Sequence, residues 1–269
     1  MDNSIKAIFF DFDGTVYSHT TESVPESTIK AFKLLRDKGI LTFLATGRSK
    51  PEMTWFDTSD LIFSGQILNN GQLAIDENNN YLYKDIITGE LKENILKVFN
   101  EKKIPMYLIS ENDIFCNFVN DEMRIAQEKN SSPIPRVKEY EGEDIYMTSI
   151  VYKTEEEKEQ LYSIGGNVMI WQNNAIDIVP LTASKSKGII EVCKKYQIDI
   201  KDTMAFGDGL NDIDMIQTCG IGVAMGNSKN EVKQAADYVT EDIDEDGLYN
   251  ALKHFKLIWK TIQKVLFMF

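Results

Sequence analysis

Residues 9–16 read Phe-Phe-Asp-Phe-Asp-Gly-Thr-Val, and this stretch decides the fold. The apolar run 7–10 is short and β-prone, so it predicts a buried strand. Gly14 and Thr15 break it. Asp11 and Asp13 lie two apart, so an extended segment places their side chains on one face. The loop past Asp13 can bend both towards one point. Two carboxylates this close repel each other and need a cation or a shared proton if both are buried. The arrangement suits a nucleophilic Asp, a proton-transferring Asp and a divalent metal in one pocket. Alone, Asp-x-Asp after a strand is most simply a solvated turn, but three further segments change that reading.

Segment 41–48, Leu-Thr-Phe-Leu-Ala-Thr-Gly-Arg, is a second buried-strand pattern. It ends in Thr46, Gly47 and Arg48: a hydroxyl, a backbone N–H and a guanidinium that together suit an oxyanion. Segment 206–212, Phe-Gly-Asp-Gly-Leu-Asn-Asp, follows the apolar run 203–206. Gly207 and Gly209 are expected to let the backbone turn tightly around Asp208. Asp208, Asn211 and Asp212 supply oxygen-bearing side chains of the kind Mg²⁺ takes, although an Asx-type turn capping a helix fits as well. Lys187, in Ser-Lys-Ser-Lys-Gly at 184–188, opens a helical pattern over 188–196 and can place its ammonium beside an anion on the helix N-terminus. Lys185 competes with it for that role.

In this order, the four segments resemble the motif set of the haloacid dehalogenase superfamily of phosphohydrolases. More narrowly they resemble its Cof-type branch of sugar-phosphate phosphatases with a large α/β cap. Asn69-Asn-Gly71, the 221–227 segment Ile-Gly-Val-Ala-Met-Gly-Asn, and Ala236-Asp-Tyr-Val-Thr240 with Asp246-Gly-Leu248 support this. The resemblance implies an α/β fold: a Rossmann-like parallel-sheet core with an inserted α+β cap. It implies a Mg²⁺-dependent phosphatase acting on small phosphorylated metabolites, sugar phosphates first, through an aspartyl-phosphate. Asp11 would attack phosphorus. Asp13 would protonate the leaving alcohol and then deprotonate water. Thr46, Gly47, Lys187 and Asn211 would hold the phosphoryl group. Asp11, the Asp13 backbone carbonyl and Asp208 would bind Mg²⁺, with Asp212 in support. A neighbouring carboxylate and desolvation are expected to raise the pKa of Asp13. Arg48 and Asn70 are core-side candidates for contacts to the leaving group, or structural turn residues. A phosphosugar mutase and a non-catalytic phosphometabolite sensor stand as alternatives.

At 269 residues the chain can form two substantial domains. A net charge of −13 argues against non-specific binding to nucleic acid or to anionic membrane. Local cations still allow a phosphate substrate. Cys116, Cys193 and Cys219 are too widely spaced for a disulfide framework or a zinc pattern. His19 and His254 form no pair for metal binding or catalysis. No signal peptide and no run of transmembrane length is read, which points to a cytoplasmic protein, a monomer or homodimer, without an integral membrane segment.

A strand at 6–10, a helix at 25–38 closed by Gly39 and a strand at 40–45 form a βαβ unit. Ligands in such sheets bind at the carboxyl ends of the strands, where the strand-borne motifs end. The stretch between the second and third motifs mixes strand pairs with helices. The core is therefore expected at 1–84 and 183–269, with the inserted cap at 85–182. The terminal stretch 255–269 places Lys256, Lys260 and Lys264 on one helical face, with apolar residues over much of the rest. It reads as a last packed helix, or as a basic amphipathic membrane anchor.

Overall fold

The computed structural model describes residues 5–129, 132–172 and 174–258. The chain begins with β1 (Ala7–Phe10), α1 (Glu26–Asp37), β2 (Leu41–Ala45), α2 (Lys50–Met53), β3 (Gly65–Leu68), β4 (Leu73–Asp76) and β5 (Tyr81–Lys84). A second block follows: α3 (Gly89–Glu101), β6 (Met106–Ser110), β7 (Ile114–Cys116), α4 (Asp121–Lys129), β8 (Arg136–Val137), β9 (Ile145–Val151), α5 (Glu155–Tyr162), β10 (Asn167–Gln172) and β11 (Ala175–Val179). The chain then runs through α6 (Lys185–Tyr196), β12 (Thr203–Gly207), α7 (Ile213–Thr218), β13 (Ile221–Ala224), α8 (Asn230–Ala235), β14 (Tyr238–Val239) and α9 (Gly247–His254). The helical pattern expected beyond residue 255 lies, from residue 259 on, outside the described residues.

The first and third blocks form one sheet in the order β14-β13-β12-β1-β2-β3-β4-β5. From β14 to β3 the neighbours pair in parallel; β4 and β5 add an antiparallel edge. Every residue of β1 and of β12 is buried, because helices cover both faces of the sheet. This is why these strands read as unbroken apolar runs rather than as alternation. On one face Phe10 meets Phe32 of α1 at 4.8 Å and Phe206 of β12 at 5.2 Å between ring centroids. Helix α1 buries Thr28, Ala31, Phe32 and Leu35, one stripe at helical spacing. On the other face Phe9 stacks on Phe43 at 5.2 Å, and Ile189 and Val192 of α6 complete the layer. Each fully buried Phe contributes about 2–3 kcal/mol by removal from water.

The middle block forms a second sheet, β10-β11-β9-β6-β7-β8, antiparallel except for β7 with β8. Ile95, Val98 and Phe99 of α3 and Leu161 of α5 cover one of its faces, over Met106, Leu108, Ile150 and Ile176. Met123 and Ala126 of α4 cover part of the other, over Tyr107, Cys116, Val151 and Ala175.

The joint between the sheets is bonded and packed. Asp85 N–H donates to Gln72 O at 2.7 Å and Ile87 N–H to Ile145 O at 2.7 Å. The Gln72 amide donates to the Tyr146 carbonyl. Tyr146 also packs on Leu68, Leu73 and Ile75 of the first sheet. The 3₁₀ turn Asn69–Gly71 at the end of β3 abuts the start of α6. Gly71 has φ +96°, and a Cβ there would lie 1.8 Å from the Ser184 carbonyl oxygen. Replacing Gly71 by Ala is expected to destabilise the protein by about 2–4 kcal/mol, since both backbone conformation and space forbid a side chain. Urea unfolding checks this, and a cost below about 1 kcal/mol would show that the turn relaxes.

Candidate active site

Three loops meet at the carboxyl ends of adjacent parallel strands: Asp11–Asp13 after β1, Thr46–Arg48 after β2, and Asp208–Asp212 after β12. The register fixes the convergence. Phe10 pairs with Leu44 on one side and Phe206 on the other, and Asp11 N–H continues the ladder to Phe206 O at 2.9 Å.

The centre of the site is Lys185. Its side chain is wholly buried, and its Nζ donates to Asp11 Oδ1 at 2.5 Å and to Asp212 Oδ1 at 2.6 Å. The position follows from how α6 starts. Ser184 caps the helix by accepting from Lys187 N–H at 3.1 Å, and Asp214 accepts from Ser186 N–H at 2.9 Å. Lys185 is thus the first helical residue. Side chains lean towards a helix N-terminus, here towards the strand ends.

The expectation for Lys187 is corrected. Two residues along a helix is a rotation of about 200°, so Lys187 faces away from the carboxylates. Its Nζ lies 3.6 Å from Glu191 Oε1 and 6.0 Å from the Tyr83 ring centroid, and its side chain is 42% exposed. Of the two candidates, Lys185 occupies the site.

Asp212 is fully buried and uses both oxygens: Oδ1 on Lys185, Oδ2 on the Asp208 and Gly209 amides at 3.0 and 2.8 Å. It therefore clamps the loop of the third motif. The glycine before Asp208 serves this clamp: a Cβ on Gly207 would lie 2.5 Å from Asp212 Cβ. Gly207 and Gly209 lie outside the positive-φ residues, so close approach, not an unusual turn, is what the structure shows for them. Asp208 accepts from Thr15 Oγ1 at 3.3 Å and from Asn227 Nδ2 at 3.3 Å.

Asp11, Asp208 and Asp212 each bring a carboxylate oxygen within 4.8 Å of the others. One ammonium does not balance three carboxylates at this range. Burial, and then the Asp212 charge, raise Asp208 to about 6. Burial and Asp212 likewise raise Asp11 well above the usual carboxylate range, although Lys185 opposes them. Burial works against the charge of Lys185, but Asp11 and Asp212 hold its pKa above the ordinary value.

Asp13 stands apart from this group. Its carboxylate takes a fork from Arg48, Nε to Oδ2 at 2.8 Å and Nη2 to Oδ1 at 2.7 Å, and meets His19 Nε2 at 2.7 Å. The guanidinium is itself seated 4.3 Å over the Phe56 ring. Burial alone would raise the Asp13 pKa. The hydrogen bonds from His19 and Arg48 outweigh it and bring the group to about 2. The expected upward shift is therefore reversed, because the neighbours that decide it are cations. The Asp13 bond raises His19 in turn. The expected metal set took only the backbone carbonyl of Asp13, so these bonds to its carboxylate leave that set unchanged, and Asp212 joins Asp11 and Asp208 in the carboxylate cluster.

Thr46 is buried, and its Oγ1 accepts from Arg48 N–H at 3.1 Å. Asn70, in the left-handed region at φ 55°, accepts from Asn211 Nδ2 at 3.4 Å, and a Cβ on Gly47 would lie 3.1 Å from its Oδ1. Thr46, Gly47, Asn70 and Asn211 thus line one rim. Arg48 is committed to Asp13. Sequence reasoning missed Thr15, His19 and Asn227. His19 was set aside for want of a second histidine, although its partner is a carboxylate six residues back.

The family model for haloacid dehalogenase-like hydrolases matches residues 8–252, which span all three loops. The chain belongs to this family. It is 36% identical over 257 residues to YkrA of Bacillus subtilis, covering 94% of this chain and 98% of that one. A solved phosphatase of the same superfamily, BT1666 from Bacteroides thetaiotaomicron, superposes with a TM-score of 0.86 at 29% identity, covering 96% and 97% of the two chains. The subclass IIB sugar phosphatase BT4131 superposes at 0.80 with 34% identity, covering 94% and 100%. Within this haloacid dehalogenase-like hydrolase, Lys185→Met should lower kcat by about 10²–10³, the scale for removing one fixed electrostatic stabiliser from a site of developing negative charge. Lys187→Met should leave kcat within about twofold, as for an exposed ion pair. Steady-state kinetics of the two variants decide, and the reverse ranking would put the functional lysine at Lys187.

Proposed function

We propose that this hydrolase is a Mg²⁺-dependent phosphatase of small phosphorylated metabolites, sugar phosphates first, working through an aspartyl-phosphate on Asp11. The observation that carries the reading is the buried cluster of Asp11, Asp208 and Asp212 around Lys185. With all three carboxylates ionised, its charge is −3 + 1 = −2. Burial first, and then the charge of Asp212, raise the pKa of Asp208 and of Asp11. An all-oxygen donor set with surplus negative charge fits a hard divalent cation such as Mg²⁺. Asp11, Asp208 and the Asp13 backbone carbonyl would hold it. Asp212 is occupied in anchoring the loop and in fixing Lys185. When bound, the ion would supply the positive charge that lets a carboxylate approach a phosphate dianion.

The protein's own residues account for the rest. Asp11, at the end of a buried strand, is positioned to attack phosphorus; the P–O bond to the alcohol breaks as the Asp11–P bond forms. Lys185 holds one oxygen of Asp11 so that the carboxylate keeps a fixed orientation. It also offsets the charge that spreads over the equatorial phosphoryl oxygens. Thr46, the Gly47 amide and Asn211 line the rim that would hold those oxygens.

Asp13 has two successive tasks. It gives a proton to the departing alkoxide, and then takes one from the water that attacks the aspartyl-phosphate. In the structure it is ionised and gripped by Arg48 and His19, the state suited to the second task. The first task requires it to take up a proton and loosen the Arg48 fork. A phosphoryl group entering beside Arg48 would compete for that guanidinium. The second sheet then shields the site from bulk water and contacts the leaving group.

The test is inorganic phosphate release from sugar phosphates, nucleotides, pyridoxal phosphate and p-nitrophenyl phosphate. Mg²⁺ should support turnover, EDTA should abolish it, and Asp11→Asn should lower kcat by at least ~10³, as for loss of a covalent nucleophile. Release that persists in EDTA or in Asp11→Asn would contradict the reading, as would failure to cleave any ester in the panel.

A further inference from the structure

The second sheet carries a polar row whose purpose its packing does not explain. The register aligns Cys116, Tyr107, Ser149, Asp177 and Met169 straight across β7, β6, β9, β11 and β10. They lie on the face opposite α3 and α5. The rows on either side are apolar. Val151 and Ala175 lie beyond it and are covered by Met123 and Ala126 of α4. Ile109, Met147 and Val179 lie before it and pack on Ala183. Tyr107, Ser149 and Asp177 thus sit between a covering helix and the segment 180–184, which joins the end of β11 to Lys185.

Two details make the row resemble a recognition surface. Ser149 Oγ donates to Asp177 Oδ1 at 2.7 Å, so the serine oxygen is held with its lone pairs available as acceptors. The Tyr107 residue is 4% exposed, and its hydroxyl is buried without a hydrogen-bond partner among the described residues. A buried unpaired hydroxyl costs free energy, and a phenylalanine would fill the same space without that cost. Burial, then Cys116 and Asp177, raise the phenol well above its ordinary pKa, so it keeps its proton to donate.

We propose that Tyr107, Ser149 and Asp177 form the subsite that recognises the hydroxyl groups of a polyhydroxylated leaving group. The inference rests on the phosphatase reading and assigns its specificity to this row. A phenol that donates, beside a serine oxygen and a carboxylate that accept, matches neighbouring hydroxyls, which do both. An aromatic leaving group without hydroxyls would give the Tyr107 phenol no acceptor.

The experiment compares two esters in the full-length enzyme: the best-cleaved pentose or hexose phosphate, and phenyl phosphate. Tyr107→Phe should lower kcat/KM for the sugar phosphate by about tenfold, one hydrogen bond's worth, and leave phenyl phosphate within about twofold. Ser149→Ala and Asp177→Asn should show the same selectivity. Tyr107→Phe should melt no lower than the unmodified protein, which separates recognition from folding. Equal losses on both esters, or no loss on either, would overturn the assignment, as would an unmodified enzyme that cleaves phenyl phosphate but no polyol phosphate. An unmodified enzyme that cleaves neither ester would instead remove the phosphatase reading, and this inference with it.

Discussion

A single buried ammonium between two carboxylates is the constraint on which the rest of the site depends. Lys185 has no exposed side-chain surface, and its partners Asp11 and Asp212 come from the loops that follow the adjacent parallel strands β1 and β12. Removing one member of such a group leaves an uncompensated buried charge, so its parts stand or fall together. Lys185 needs the cap at Ser184 and the contact of Gly71 with the Ser184 carbonyl. Asp212 needs the tight approach of Gly207. Asp11 needs its place at the end of β1 between β2 and β12. Local structure, packing and chemistry are therefore coupled through one helix start.

The same cluster would favour ligands that bring positive charge. Among the described residues, three carboxylates and one ammonium leave an excess of negative charge, and burial first, then the Asp212 charge, raise the Asp208 pKa. Asp13 is separated from this excess by a different device. The Arg48 fork and His19 hold it ionised, while Phe56 seats the guanidinium. Two carboxylates two residues apart thus have opposite pKa shifts, set by the partners each one faces. This split is the arrangement by which neighbouring acids take different roles in one reaction.

Much of this was legible in the sequence, for a definite reason. Strands buried on both faces are apolar throughout, and the polar residues that end them stand out; this exposed Asp11, Thr46 and Asp208 as strand-end groups. The choice between Lys185 and Lys187 was not legible, because it turns on which residue is first in α6. A serine at 184 and another at 186 leave that start ambiguous. The Asp13 shift was misjudged because the acidic neighbour is close in sequence, whereas Arg48 is brought in by the adjacent strand. Thr15 and Asn227 were missed as ligands of Asp208 because their residue types carry no such signal outside the fold. Tyr107, Ser149 and Asp177 are scattered over 70 positions, and only strand register sets them in one row.

The central claim is that the Asp11–Asp208–Asp212 cluster carries an uncompensated charge that a divalent cation satisfies. The most direct test is the melting temperature of the unmodified protein and of Asp208→Asn, with and without Mg²⁺, across pH. Because the Asp208 pKa is raised to about 6 from 3.8, the folded state holds an extra proton between those values. Metal-free stability should therefore fall as pH rises through that window, and Mg²⁺ should restore it above the window. Asp208→Asn should melt higher than the metal-free unmodified protein at neutral pH, by roughly 2–4 °C for each kcal/mol relieved, and should respond weakly to Mg²⁺. A protein whose melting ignores Mg²⁺ at neutral pH, or an Asp208→Asn variant that melts lower without metal, would contradict the account.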